Sequence, residues 1–304
     1  MNQSKSIFRG AFTAIVTPFT SDGSAVDLAR LSEHIHFQAE GNVTGIVPCG
    51  TTGESPTLGD EEHRTVVETA IEIGHSLKLK VIAGAGSNNT AHAIELHKFA
   101  KSAGADGSLQ VNPYYNKPSQ EGLYRHFMAI ADSCDLPICL YNIPGRSAVA
   151  LSTETVERLS KHPNIHAVKE ATGSLDSASE VVARTRLALL SGDDSLTLPM
   201  ASVGAVGVVS VVSNIVPEKV SALCAAFNNG KWDEARRIHF ELLPLSRGLL
   251  TLDTNPVPIK AAMEKLGRDT GSLRLPMCRA GKTVMDAVEK LLASQNLKRS
   301  AVAV

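Results

Sequence analysis

The sequence lacks the features that mark membrane, secreted and nucleic-acid-binding proteins. No run of about 18 consecutive apolar residues occurs, and the segment MNQSKSIFRGAF has no apolar stretch behind a basic start. Lys and Arg number 30 against 31 Asp and Glu, so the chain has no basic field that would attract phosphates or anionic lipid. We predict a cytoplasmic protein without nucleic-acid or membrane partners.

Cysteine and histidine give no sign of disulfides or of a metal site. The five cysteines are an odd number without a CxxC pair and lie mostly in apolar runs, and we expect buried, reduced thiols. They are Cys49, Cys134, Cys139, Cys224 and Cys278. Among the ten histidines, His34 and His36 are two apart and His92 and His97 are five apart, so neither pair shares a helix face. No HExxH motif is present, and no metal is expected.

Short apolar runs alternate with segments of helical period, the pattern of repeated βα units. Eight such runs begin at Phe12, Gly45, Lys80, Gly107, Pro137, Ile165, Leu187 and Ala205. Thr90, Ser119 and Ser152 are predicted helix N-caps. Eight βα units fit a closed barrel or a doubly wound sheet, and the first unit has no GxGxxG motif, which weakens the dinucleotide-binding alternative.

The strand signal stops near residue 215, and the rest of the chain has the pattern of helices. We therefore predict an α/β fold, a (β/α)8 TIM barrel with a C-terminal helical domain. The barrel is assigned to residues 1–232 and the helical domain to residues 233–304.

In such a barrel the reactive groups lie at the C-terminal ends of the strands, where Lys169 closes the apolar run IHAVK. An inward lysine is partly desolvated, which lowers its pKa from about 10.4 and leaves more neutral amine to form an imine with a carbonyl. The alternative is a structural ion pair. Glu170 is a poor partner for it, because adjacent strand residues point to opposite faces.

Three further strand ends carry candidate groups. Tyr141 could relay protons to an imine at Lys169, or could be a packed tyrosine. The turn GTTGE from Gly50 to Glu54 offers backbone N–H groups and two hydroxyls to a small carboxylate such as that of pyruvate, or is an ordinary turn with a helix cap. Arg146 could hold a second carboxylate, or could be a surface arginine.

Sugar-phosphate chemistry is the rival for a barrel of this kind, with phosphate bound after strands 7 and 8. Here strand 7 ends in Asp193 and Asp194, and strand 8 supplies no Lys or Arg. Two carboxylates would repel a phosphate, so this alternative is rejected.

Six motifs follow one another along nearly the whole chain. They are GTTGES at 50–55, NPYYNKPSQEGLY at 112–124, YNIPGR at 141–146, KEATG at 169–173, SGDD at 191–194 and GVVSV at 207–211. Their set, order and spacing resemble the dihydrodipicolinate synthase family of the class I pyruvate-dependent aldolase superfamily. Any one motif is weak, whereas the set is specific.

The resemblance implies a role for particular residues. Lys169 would be the Schiff-base lysine, with Thr51, Tyr141 and Tyr115 as a proton relay in which Tyr115 comes from a neighbouring subunit. Substrate-binding positions would be Thr52 for the pyruvate carboxylate, Arg146 for the carboxylate of the second substrate, and the backbone around Gly192 and Val209.

The activity implied is 4-hydroxy-tetrahydrodipicolinate synthase, which condenses pyruvate with L-aspartate 4-semialdehyde in lysine and diaminopimelate biosynthesis. No cofactor is expected beyond the covalent pyruvate imine, and family habit suggests a homotetramer built as a dimer of dimers. Another pyruvate-dependent enzyme, such as N-acetylneuraminate lyase or a keto-deoxy-sugar acid aldolase, shares Lys169 and differs in the acceptor. A barrel without catalysis is a third hypothesis.

One position departs from the pattern of lysine-inhibited relatives. Their lysine site matches Ser55, Pro56, Asp60, His63, Asn88, His92 and Tyr114 here. Position 92 is usually glutamate in sensitive enzymes, and a histidine cannot offer a carboxylate to an ammonium group. We hypothesise weak or absent feedback by lysine, which half-inhibition at sub-millimolar lysine would refute.

Overall fold

The eight predicted strands form a closed parallel barrel in the computed structural model, which describes residues 7–299. Each strand pairs with the next in the chain, and β1 pairs with β8 to close the ring. The strands are β1 (Gly10–Ala14), β2 (Gly45–Val47), β3 (Lys80–Gly84), β4 (Gly107–Val111), β5 (Ile138–Asn142), β6 (Ile165–Glu170), β7 (Ala188–Ser191) and β8 (Gly207–Ser210). The predicted (β/α)8 fold is confirmed.

Helices follow the strands around the outside of the barrel and continue after β8. They are α1 (Leu28–Glu40), α2 (Asp60–Ser76), α3 (Thr90–Ala103), α4 (Gln120–Ala131), α5 (Pro144–Ser147), α6 (Thr153–Leu159), α7 (Leu175–Arg184), α8 (Thr197–Ser202), α9 (Pro217–Asn228), α10 (Trp232–Thr251), α11 (Val257–Lys265) and α12 (Lys282–Ser294). Between residues 7 and 299, no helix combines the length and apolar character needed to cross a bilayer.

Two of the three predicted helix caps are confirmed. Ser119 accepts a hydrogen bond from the backbone N–H of Gly122 at the start of α4, and Ser152 caps α6 in the same way. The prediction of Thr90 is wrong by one residue, because Asn89 caps α3 with its own side chain. Thr90 is instead the first residue of that helix, and its hydroxyl contacts His126.

Inward-facing strand residues fill the barrel with an apolar cluster that includes Phe12, Val47, Cys139 and Tyr141. Successive strand residues alternate between this interior and the outer layer of helices. The residues at the upper ends of the strands therefore stand directly above the core, where the site is built.

The C-terminal helices share a hydrophobic core with one side of the barrel. A single cluster of buried residues runs from Ile35 on α1 through Leu242 on α10 and Ile259 on α11 to Leu292 on α12. The predicted division at 232/233 falls at the first residue of α10, and it stays a prediction.

The cysteine prediction is right for three positions. Cys49, Cys139 and Cys224 are buried free thiols, and burial raises the pKa of Cys139 to about 12. Cys134 is only partly buried, and Cys278 is exposed, so the expectation of burial is wrong there. Cys278 lies in the segment between α11 and α12, outside any apolar run.

Candidate active site

Lys169 lies on β6 with its side chain in the barrel interior and 5% of its surface exposed. Its Cα is in register with that of Tyr141 on β5. The Nζ atom is 3.8 Å from the centroid of the Tyr141 ring. Asp193 lines the same cavity, and the charge of Lys169 acts on its carboxyl group. The lysine is thus buried beside a tyrosine and within electrostatic reach of an aspartate.

Glu170 points away from the barrel interior, as strand alternation predicts. Its carboxylate accepts hydrogen bonds from the backbone N–H of Thr172 at 2.8 Å, from Ser177 Oγ at 3.3 Å and from Asn142 Nδ2 at 3.4 Å. Burial raises the pKa of Glu170, and these donors oppose the rise. The ion-pair alternative for Lys169 and Glu170 is therefore wrong.

A cavity of about 510 Å³ opens above Lys169 at the C-terminal end of the barrel. Six of the eight predicted site residues line it, namely Thr51, Thr52, Tyr141, Arg146, Lys169 and Gly192. Groups from β2, β5, β6 and β7 thus converge on one space, as expected for a barrel of this kind.

Two predicted residues do not line this cavity. Val209 is 2% exposed and lies in the apolar cluster inside the barrel, whereas Val211, just beyond the end of β8, lines the cavity. Tyr115 is 89% exposed, with φ at +73° in the left-handed region. Its phenol projects from its own chain and does not reach the cavity beside it.

The GTTGE turn is held by hydrogen bonds on both sides. Thr17 Oγ1 donates to the carbonyl of Gly53 at 2.7 Å, and the N–H of Glu54 donates to the carbonyl of Thr51 at 3.1 Å. Gly53 is closely surrounded, since an added Cβ would lie 3.1 Å from the Cys49 nitrogen and 3.2 Å from the Thr17 hydroxyl. The turn therefore holds both threonines in fixed places on the cavity wall.

Arg146 is exposed on the cavity rim, in the short helix α5 that follows β5. One guanidinium nitrogen donates to the carbonyl of Asn255 at 3.0 Å. This bond holds the side chain toward the C-terminal helices and leaves further N–H donors for a ligand carboxylate.

The two aspartates of SGDD have different surroundings. Asp193 lines the cavity, where burial raises its pKa and the Lys169 cation opposes the rise. Asp194 is buried behind it and accepts hydrogen bonds from the backbone N–H of Val211 at 2.9 Å and of Val212 at 3.2 Å. Asp194 thereby fixes the end of β8, and Asp193 faces the ligand space.

The residues on one side of the cavity were not predicted from the sequence. Leu250 at the end of α10 and Asp253, Thr254 and Asn255 before α11 complete its wall. Asn255 donates a hydrogen bond from Nδ2 to Thr52 Oγ1 at 2.9 Å. The dipeptide Asn255-Pro256 between two helical patterns was the only available signal, since it marks a turn.

The residues matched to a lysine site lie together in the structure. Ser55, Pro56, Asp60, His63, His92 and Tyr114 line a separate cavity of about 180 Å³, and Asn88 Nδ2 donates to the Tyr114 carbonyl at 3.1 Å. Weak feedback by lysine stays a prediction.

Comparison with known proteins tests the family suggested by the six motifs. The model of the dihydrodipicolinate synthetase family matches residues 7–295. This chain belongs to that family. The prediction of the family from the motifs is confirmed.

Proteins with assigned names are similar in sequence to this chain over nearly their full lengths. A 4-hydroxy-tetrahydrodipicolinate synthase of Citrifermentans bemidjiense is 52% identical over 273 residues, which are 89% of this chain and 93% of the relative. One of Nitratidesulfovibrio vulgaris is 48% identical over 95% of this chain and 99% of its own. The crystal structure of dihydrodipicolinate synthase from Aquifex aeolicus has a TM-score of 0.93 and 43% identity, covering 96% of this chain and 100% of the other.

Proposed function

We propose that this protein is a 4-hydroxy-tetrahydrodipicolinate synthase, a lyase that joins pyruvate to L-aspartate 4-semialdehyde through a Schiff base on Lys169. The observation that carries the mechanism is the buried Lys169 amine, which has Tyr141 beside it and a cavity above it. The agreement of the relatives' names favours this activity over the neuraminate lyase and sugar-acid aldolase alternatives.

In the first step, the Lys169 amine attacks C2 of pyruvate and forms a C–N bond. The carbonyl oxygen takes up two protons and leaves as water, giving the imine. Tyr141 delivers these protons, a role that the contact of its ring with the amine supports. Thr51 on the cavity wall and Tyr115 complete the relay to solvent.

The carboxylate of pyruvate also needs hydrogen-bond donors to bind it. Thr52 and the N–H groups of the GTTGE turn supply them, as neutral donors within a buried site. Transfer of a C3 proton from the protonated imine to the relay then gives an enamine, in which the C–H electron pair forms the C2–C3 double bond and the C–N π pair becomes the lone pair on nitrogen. No added cofactor is required, since the imine itself serves as the electron sink.

The enamine carbon C3 attacks the aldehyde carbon of the semialdehyde, and the aldehyde oxygen takes up a proton to become the 4-hydroxyl group. Arg146 on the rim holds the acceptor's carboxylate. The acceptor's amino group then adds to C2 and displaces Lys169, which closes the ring and returns the free lysine.

We further propose that Tyr115 acts in the cavity of a neighbouring subunit. Its 89% exposure fits a phenol that completes a partner's site. A dimer is then the smallest active unit, and a dimer of dimers is the assembly we expect. One similar structure, 38% identical with a TM-score of 0.92, is described as a monomeric dihydrodipicolinate synthase variant. A cytoplasmic location also stays a prediction.

The test is exchange of the C3 protons of pyruvate in D2O, followed by NMR without any acceptor. The native protein should exchange them, and Lys169→Ala should not, whereas the surface variant Lys161→Ala should match the native rate. A native protein that folds and catalyses no exchange would support the non-catalytic barrel.

A further inference from the structure

A buried ion pair joins the C-terminal helices to the turn that carries Thr51 and Thr52. Lys260 on α11 donates from Nζ to Glu54 Oε1, and the side chains of this pair are 0% and 2% exposed. Lys260 also donates to the carbonyl of Ser272 at 2.8 Å. The pair spans two regions that are about two hundred residues apart in the chain.

Such a pair is poorly explained by stability alone. Removing two charges from water costs about as much as their attraction returns, and apolar residues of similar volume often serve a core equally well. The Lys260 amine lies 4.3 Å from the centroid of the Phe19 ring, and the charges of Asp269 and Arg274 also act on it. The presence of a charged lysine here is better explained by the turn backbone that Glu54 supports.

Glu54 ends the GTTGE turn in a conformation that needs support. Its φ is +53°, in the left-handed region that non-glycine residues seldom adopt, and Cys49 just before the turn has φ +54°. Backbone of this kind persists where its surroundings fix it. One oxygen of the Glu54 carboxylate accepts a hydrogen bond from Lys260 Nζ. The other oxygen accepts a hydrogen bond from the backbone N–H of Arg274 at 3.2 Å.

The same C-terminal segment reaches the turn at a second point. Asn255, five residues before Lys260, donates to Thr52 Oγ1 at 2.9 Å, and its carbonyl accepts from Arg146 at 3.0 Å. The Lys260 N–H donates to the carbonyl of Pro256, the residue after Asn255, so the first turn of α11 connects the two attachments. The segment thus contacts both the threonine wall and the rim arginine of the cavity.

We propose that Lys260 is a positioning residue for the reaction. Its buried ion pair with Glu54 sets the backbone of the GTTGE turn, and so the place of the Thr51 and Thr52 hydroxyls above Lys169. This inference rests on the proposed function, since it assigns no chemistry to Lys260 itself. It makes the C-terminal helices part of the catalytic apparatus.

The experiment compares Lys260→Met, Glu54→Gln and the double variant in the full-length oligomer. Each single variant should lower kcat at least tenfold while saturating pyruvate still gives a full yield of borohydride-trapped imine on Lys169. The double variant should lose no more than either single one, because both singles break the same link. Val288→Ala, at a fully buried position on α12, is the control for lost stability.

Two outcomes would overturn the inference. One is a Lys260→Met protein with kcat within twofold of native, and the other is a kcat loss that Val288→Ala reproduces at an equal drop in Tm. Should Lys260→Met fail to fold, Glu54→Gln keeps the volume and carries the same comparison. Absence of imine in the native protein would instead contradict the proposed function, so the two failures are distinguishable.

Discussion

Tyr141 and Lys169 are register partners on neighbouring strands, with the lysine Nζ 3.8 Å from the centre of the tyrosine ring. Register partners in a parallel pair present their side chains to the same face, here the barrel interior. The phenol and the amine therefore meet without any loop to position them. The register of the two strands alone therefore brings together an amine and a proton-donating side chain.

Replacing Tyr141 by phenylalanine removes the proton donor and keeps the ring. We expect kcat to fall by about 10² to 10⁴, the range typical of a general acid-base group, while the Tm stays near native. Steady-state kinetics with both substrates measures this. Tyr124→Phe, whose ring packs under Arg158 on the outside of the barrel, should leave kcat unchanged. A Tyr141→Phe enzyme within a few-fold of native would remove Tyr141 from the relay.

Arg146→Ala should separate the two substrates. Loss of a charge-assisted hydrogen-bond pair costs about 1.5 to 3 kcal/mol, so kcat/KM for L-aspartate 4-semialdehyde should fall roughly 10- to 100-fold. Proton exchange on pyruvate alone should persist, because the pyruvate carboxylate has a separate grip. The exposed Arg125 offers the matched control, Arg125→Ala. Equal losses with both substrates would show that Arg146 acts on the fold of the rim rather than on the acceptor.

Subunit mixing tests where Tyr115 acts. If its phenol serves a partner's cavity, Tyr115→Phe and Lys169→Ala subunits should each be nearly inactive alone and regain activity when unfolded and refolded together. A mixed dimer then holds one site with a native Lys169 and a native Tyr115. Co-refolding that restores nothing, in a dimer shown by native mass spectrometry to contain both variants, would place Tyr115 in its own subunit's site or outside the mechanism.

Stability should fall as the solution is acidified, because buried histidines resist protonation, among them His34, His97 and His126. Burial lowers the pKa of His97 and of His126 to about 4, whereas the unfolded chain binds these protons near pH 6.5. The unfolded state thus gains protons first, and each histidine removes about 2 kcal/mol of unfolding free energy between pH 7 and pH 5.

The matching variants are His97→Asn, which can keep the hydrogen bond to Ser108, and His126→Asn, which can keep that to Thr90. Urea unfolding at pH 7 and pH 5 should show a smaller pH effect in each variant and the smallest in the double one. An unchanged difference between the two pH values would mean that other groups cause the acid sensitivity.

The barrel was predictable because its signal is local and repeated. Eight apolar runs, each followed by a helical period, leave few topologies, and strand alternation decided correctly that Lys169 and Glu170 face opposite ways. Placement at the strand ends was less certain. The backbone around Val209 was predicted to line the cavity, and the lining residue in that stretch is Val211, just beyond the end of β8 at Ser210.

The contribution of the C-terminal helices could not be predicted in the same way. Their periodicity shows that each buries one face, but it does not say which loop meets the mouth of the barrel. Asn255 reaches Thr52, and Lys260 reaches Glu54, only through the packing of distant segments. When apolar and polar residues are mixed along a helix, the sequence does not distinguish a buried lysine such as Lys260 from a solvent-exposed one.

Borohydride trapping tests the central claim most directly. The protein is incubated with pyruvate and borohydride, digested and mapped by mass spectrometry, beside Lys169→Ala as control. We predict one reduced pyruvate adduct per chain, located on Lys169 and absent from the variant. A folded native protein that yields no adduct, or one that carries it on another lysine, would contradict the imine mechanism.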